Sequence, residues 1–193
     1  MIYWVGYYLF RLFSFIFFPR TVIGRENLPK SGNFLVASNH ISNLDPFIVG
    51  VSCKRRFSYI AKEELFENKF VGFILRNLDA FPIKRQASDL RALRQTILKL
   101  NRGKTIVLFP EGTRKRKGQF RKIQAGIAFL AVKTKLPVVP VYLEGSDKVL
   151  PPDSNWIKRS PVTVKIGKPI DIDYQKDYPA ISKYIMEQVY SLK

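Results

Sequence analysis

From residue 20 onward, short apolar runs alternate with stretches whose apolar positions recur at helical spacing. Residues 34–38, 57–61, 80–84, 105–109, 138–143 and 162–166 read as strands, with a further short strand over 21–24. Between them, residues 46–53, 69–77, 89–102 and 123–133 read as helices, and a last helix runs from 180 to about 192. The segment 89–102 is the most regular. Leu90, Leu93, Ile97 and Leu100 repeat on one face, Ser88 is placed to cap the start, and Gly103 closes the end. In 69–77, Phe70, Phe73 and Ile74 fall on one side, with Leu78 next. Strands that alternate with helices imply an α/β fold: one domain over 20–193, with a largely parallel central sheet flanked by helices.

Residues 1–19 stand apart. The first eighteen carry nine aromatics and one charge, Arg11, and Pro19 ends the run. As a helix, eighteen residues reach about 27 Å, short of a hydrocarbon core of ~30 Å. Arg11 at the centre would add about 2.5–3.5 kcal/mol to insertion. No basic region precedes the apolar part and no small-residue cleavage site follows it, unlike a signal peptide. Tyr3, Tyr7, Arg11 and Ser14 share a stripe, while Trp4, Leu9, Leu12, Phe13, Ile16 and Phe17 lie mostly elsewhere. The pattern predicts a helix lying in a membrane interface through those six residues. A short span and a core helix are the alternatives.

Composition changes this picture in two ways. The 33 Lys+Arg against 15 Asp+Glu give a formal net charge of +18, which draws the chain to polyanions: nucleic acid, acidic ligands or an anionic lipid surface. One cysteine, Cys53, and one histidine, His40, exclude an internal disulfide framework and a Cys/His zinc site.

Candidate chemistry gathers where strands end. His40 follows the run 34–38, and Asp45 comes five residues later with Pro46 behind it. On a continuous helix those positions would lie about 140° apart. Pro46 instead biases Asp45 away from the α region and suits the first turn of a helix. Asp45 is therefore expected to cap the next helix, and the tight turn between can fold its carboxylate onto the imidazole. A base positioned by a carboxylate suits proton abstraction near neutral pH; an ordinary N-cap beside a turn histidine is the plainer alternative. After the strand 105–109 come Glu111, Gly112, Thr113 and Arg114. Arg114 offers a planar fork to a phosphate, Gly112 lets backbone approach, and Glu111 can accept from a hydroxyl or hold Arg114. Arg85 and Lys62 also follow strands. In a parallel sheet all of these fall at one edge, where sites form. Gly103-Lys104-Thr105 lacks the first glycine of a phosphate loop, and Gly145-Ser146 lacks the flanks of a nucleophile elbow.

Asn39-His40-x4-Asp45, Ala80-Phe81-Pro82-Ile83-Lys84-Arg85, Phe109-Pro110-Glu111-Gly112-Thr113-Arg114 and Leu136-Pro137-Val138-Val139-Pro140-Val141 occur in this order. The set resembles the four motifs of glycerolipid acyltransferases, and in particular the 1-acyl-sn-glycerol-3-phosphate acyltransferase family, over about residues 20–170. One departure is the separation of Lys122 from Gly126 by Ile-Gln-Ala, where the family often sets a basic residue closer to the glycine. The resemblance implies acyl transfer from an acyl thioester, on CoA or acyl carrier protein, to the 2-hydroxyl of lysophosphatidic acid, with no metal or other cofactor. It implies His40 as general base and Asp45 as its orienting carboxylate. Arg85, Arg114 and Lys62 would then hold the acceptor phosphate, with Glu111, Gly112 and Thr113 at the glycerol; the oxyanion donor stays open, backbone N–H groups near Gly112 being one candidate. The first helix and the +18 charge then lead to the expectation of an enzyme peripheral or monotopic on the cytoplasmic face of the cell membrane, against anionic lipid. The lack of a recognisable nucleic-acid motif speaks against nucleic acid. Another lysolipid acceptor remains open, as does a non-enzymatic basic module.

Overall fold

The strand runs pair into a seven-stranded sheet in the order β1-β7-β6-β2-β5-β3-β4. The computed structural model describes residues 2–83, 90–112, 123–151, 154 and 156–193. The strands are β1 (Arg20–Ile23), β2 (Leu35–Ser38), β3 (Phe57–Lys62), β4 (Ala80–Ile83), β5 (Thr105–Leu108), β6 (Val138–Glu144) and β7 (Val162–Ile166). All neighbours are parallel except β6 and β7, which run antiparallel with Val141 opposite Ile166. The helices are α1 (Ile2–Phe17), α2 (Asp45–Cys53), α3 (Lys69–Asn77), α4 (Leu90–Asn101), α5 (Gly126–Thr134), α6 (Ser146–Val149) and α7 (Tyr178–Tyr190). The expected single α/β domain is what forms.

The central strands are mostly apolar, with polar residues only at their ends (Ser38, Thr105, Glu144), because both faces are covered. In β2 the side chains alternate. Leu35 and Ala37 pack with Leu100, Leu130, Ile181 and Ile185 from α4, α5 and α7. Phe34, just before the strand, and Val36 pack with Ile48 and Val49 of α2 on the other side. The same alternation divides Ile106 from Val107 in β5. Two cores therefore clamp β2 and β5 in the middle of the sheet.

Helix α1 docks on the second core through Phe10, Phe13 and Phe17, with Arg11 of its polar stripe exposed. Tyr7 and Ser14 are buried; the Tyr7 hydroxyl donates to the Val51 carbonyl at 3.5 Å, and Arg20 donates to Ser14 Oγ. Trp4, Leu9, Leu12 and Ile16 are exposed. Phe13 and Phe17 are a correction. Helical turn places them toward the body, where they pack with Phe10 and Phe18 and leave the outer face. Among the described residues no helix is long and apolar enough to cross a membrane.

Helix α3 also turns its apolar side outward, exposing Phe70, Phe73 and Ile74. Its buried residue is Gly72, which packs so closely that a Cβ there would lie 2.9 Å from the Phe66 carbonyl oxygen. Close backbone contact, rather than the aromatic side, seats this helix.

Candidate active site at the carboxyl edge of the sheet

β2 and β5 are parallel neighbours with Ala37 opposite Leu108, so the residues that follow them emerge side by side. After β2, buried Asn39 fixes the turn. Its side-chain NH2 donates to the Leu143 carbonyl at 2.8 Å, and its side-chain oxygen accepts from the Leu143 N–H at 2.7 Å. This two-way bond to β6 replaces the ladder bonds that β2 gives up where it ends. His40 comes next, its side chain 11% exposed. Its ring stacks on Phe109, with centroids 4.3 Å apart and planes 26° from parallel, so one imidazole face is covered.

Asp45 has no exposed side-chain surface, and four donors converge on it. Oδ2 lies 2.8 Å from His40 Nδ1 and accepts from the N–H groups of Ile41 at 2.7 Å and Ser42 at 2.8 Å. Oδ1 accepts from the Ser146 hydroxyl at 2.6 Å. With Nδ1–H donating to the carboxylate, Nε2 is the ring nitrogen left to accept a proton. The expected cap role is corrected: Leu44 occupies the cap position, Asp45 begins the helix, and no side-chain cap bond forms. The turn before the helix presents two free N–H groups to the same oxygen as the imidazole, and they outcompete the helix's own first-turn donors.

Glu111 is buried and reaches across from the end of β5. Oε2 accepts from the His40 N–H at 3.3 Å, and Oε1 accepts from the Tyr190 hydroxyl of α7. Burial, followed by the Glu111 hydrogen bond and charge, raises the Tyr190 phenol well above its usual range, so it stays a donor. Within the protein the Glu111 carboxylate braces the His40 backbone. Gly112 adopts the left-handed region at φ 72°, which favours glycine. Its N–H donates to the Phe109 carbonyl at 2.9 Å.

Of the other expected residues, Lys62 is exposed at the carboxyl end of β3, the strand beside β5. Among the described residues nothing joins it to His40 or Glu111. Arg85, Thr113, Arg114 and Lys122 lie outside the described residues, as does Ser88, the expected cap of α4. Cys53 is excluded as a nucleophile, because burial pushes its thiol up to about 12. Two site residues escaped the sequence reading. Tyr190 extends the buried stripe of Ile181, Ile185, Met186 and Val189 by one position, and a tyrosine ending an apolar stripe was the available signal. Ser146 follows Gly145, and that Gly-Ser pair after a strand was set aside because it does not form an elbow.

The arrangement offers an oriented imidazole at a sheet edge, with both neighbouring carboxylates held from behind. Residues 19–144 match the family model described as Acyltransferase. The chain is 34% identical over 158 residues to the chloroplastic 1-acyl-sn-glycerol-3-phosphate acyltransferase LPAT1 of Arabidopsis thaliana, covering 80% of this chain and 44% of that one. It is 29% identical to the 1-acyl-sn-glycerol-3-phosphate acyltransferase of Bacillus subtilis, covering 81% and 75%. The chain thus spans less than half of the plant relative's length and three quarters of the bacterial one's. Its fold is similar to the crystal structure of the 1-acyl-sn-glycerophosphate acyltransferase PlsC of Thermotoga maritima. The TM-score is 0.80 at 33% identity, over 94% of this chain and 73% of that one. With His40, Asp45 and Glu111 all inside the matched span, the chain belongs to the acyltransferase family.

Proposed function

We propose that the protein transfers a fatty acyl group from an acyl thioester, acyl-CoA or acyl-ACP, to the sn-2 hydroxyl of lysophosphatidic acid, giving phosphatidic acid. The observation that carries this is the 2.8 Å contact of His40 Nδ1 with Asp45 Oδ2, within a family whose compared members are named for this reaction. An alcohol becomes nucleophilic enough to attack a thioester when its proton is removed in the transition state, worth about 10²–10⁴-fold. His40 Nε2 takes that proton as the oxygen bonds to the acyl carbon. The carbon–sulfur bond then breaks, and the imidazolium returns the proton to the departing thiolate. Asp45 fixes the tautomer and stabilises the imidazolium. No acyl-enzyme is needed, since among the described residues no hydroxyl or thiol bonds to the His40 ring. Arg85, Arg114 and Lys62 hold the acceptor phosphate, turning a collision into a near-unimolecular encounter.

Lipid substrate and product place the enzyme on a membrane. The exposed Trp4, Leu9, Leu12 and Ile16 of α1 sit in the interface, and the +18 charge favours anionic lipid on the cytoplasmic face. Deleting residues 1–18 is expected to release the protein from anionic vesicles in a flotation assay; undiminished binding would remove α1 from this role.

The test of the reaction is purified protein in micelles with lysophosphatidic acid, offered each thioester donor in turn. Free thiol and phosphatidic acid should appear in equal amounts. Thiol release without lipid product would make the protein a thioesterase, and no product with any lysolipid would end the proposal.

A further inference from the structure

Asp45 Oδ2 is shared by three donors, whereas among the described residues Oδ1 is bonded by Ser146 Oγ alone, at 2.6 Å. Ser146 begins α6, just past the span that matches the family model, and lies 101 residues from Asp45 in sequence. We propose that Ser146 is a positioning residue for the general base, fixing the Asp45 carboxylate plane so that Oδ2 faces His40 Nδ1. The inference rests on the acyl-transfer reading for its kinetic consequence only.

Geometry carries the argument. A carboxylate held at one oxygen can pivot about that oxygen, while one held at both cannot. The backbone donors of Ile41 and Ser42 secure Oδ2 to its own turn, and Ser146 secures Oδ1 to a different element. The position of that element is itself fixed. Gly145 adopts φ 86°, and a Cβ there would lie 2.4 Å from the Pro161 carbonyl oxygen. At the far end of α6, Ser42 Oγ donates to the Leu150 carbonyl at 3.0 Å. Residues 145–150 thus form a buttress touching the 40–45 turn at two points, only one of which is the carboxylate. Ser146 is fully buried, and its hydroxyl bonds to Asp45 rather than to the imidazole. It therefore cannot serve as a nucleophile and touches no substrate. Its removal would leave a buried carboxylate oxygen without a donor, an arrangement that native interiors avoid.

The single histidine makes the test specific, because in protein labelled with 15N-histidine every imidazole signal belongs to His40. In the parent protein in micelles, the Nδ1–H proton should resonate at low field and exchange slowly with water. Ser146→Ala is expected to move that resonance toward the free-imidazole position and to speed its exchange. In the acyl-transfer assay the same change should lower kcat by about tenfold to a hundredfold and leave both substrate KM values near the parent's. Ser42→Ala, which cuts the other buttress contact, should leave the resonance in place. An unmoved resonance in Ser146→Ala overturns the proposal, whatever happens to kcat, as does an equal shift in both variants. Should the alanine variant fail to fold, Ser146→Cys keeps the volume, weakens the donor, and is judged by the same criteria. If no acyl transfer is found at all, the resonance still decides whether Ser146 holds the pair, so the two failures remain distinct.

Discussion

Asp45 and Asp79 are both largely buried carboxylates, and they stand at opposite edges of the parallel part of the sheet. Asp79 precedes β4 at the amino edge, in the left-handed region at φ 62°. Lys99 Nζ reaches it at 2.6 Å, Lys104 Nζ at 3.2 Å, and Ser58 Oγ donates at 2.9 Å. Burial alone would raise its pKa, but the hydrogen bonds from Lys99 and Ser58, the Lys99 charge and the Lys104 bond outweigh that and hold it below the usual carboxylate value. Asp45 has no lysine or arginine partner among the described residues; two backbone N–H groups, a serine and an imidazole surround it. A permanent cation neutralises Asp79 at every moment. At Asp45 the partner is the one side chain that gains charge by taking a proton, so the carboxylate's attraction is strongest when the imidazolium has formed. At the amino edge the carboxylate is held by permanent cations, whereas at the carboxyl edge it faces a group able to take a proton.

Matched isosteric changes sharpen this contrast. Asp45→Asn puts an NH2 group among converging donors and removes the charge facing the imidazole; acyl transfer should fall by about 10²–10⁴-fold, as in His40→Ala. Asp79→Asn keeps a residue type that tolerates positive φ. It should leave kcat per folded molecule unchanged and lower unfolding free energy by about 1–3 kcal/mol, read from denaturant midpoints. If Asp79→Asn lowered kcat while Asp45→Asn did not, the division between the two ends would be reversed.

Acid gives the same contrast without relying on turnover. The Asp79 pKa is lower folded than unfolded, so its contribution is fully present above the unfolded value, about 3.9. It fades as pH falls through the lower folded value. Stability curves of the parent and Asp79→Asn should therefore run parallel above about pH 5 and converge below about pH 4. Curves that stay parallel into acid would mean that the lysines do not stabilise the charged form.

How far the sequence could reach follows from what each feature depends on. Strands β2, β5 and β6 were legible because both faces are buried, and continuous apolar runs announce that. The antiparallel pairing of β7 was not, since an apolar run carries no direction. The His40–Asp45 contact was legible because it lies within six residues and Pro46 constrains the turn. The cap was misassigned because spacing cannot decide whether a carboxylate satisfies the helix ahead or the turn behind. Tyr190 and Ser146 reach their partners across 79 and 101 residues, distances at which only the folded sheet sets proximity. In α1 the helix was legible, but its orientation was only partly so. Tyr7 and Ser14 face inward because each finds a polar partner there, and Phe13 and Phe17 follow them round the helix.

The smallest expected effect separates the two lysines at Asp79. Lys104 is the more exposed and the more distant, so Lys104→Ala should cost no more than about 1 kcal/mol, with the difference shrinking as salt is added. Lys99 makes the shorter bond and also lies over the Phe81 ring, 5.2 Å from its centroid, so Lys99→Ala loses packing that salt does not screen. Its cost should exceed that of Lys104→Ala and persist in high salt. Equal costs that vanish together with salt would reduce the Asp79 cluster to a surface ion pair. A change in kcat from either lysine would couple the amino edge to the histidine at the other end of the sheet.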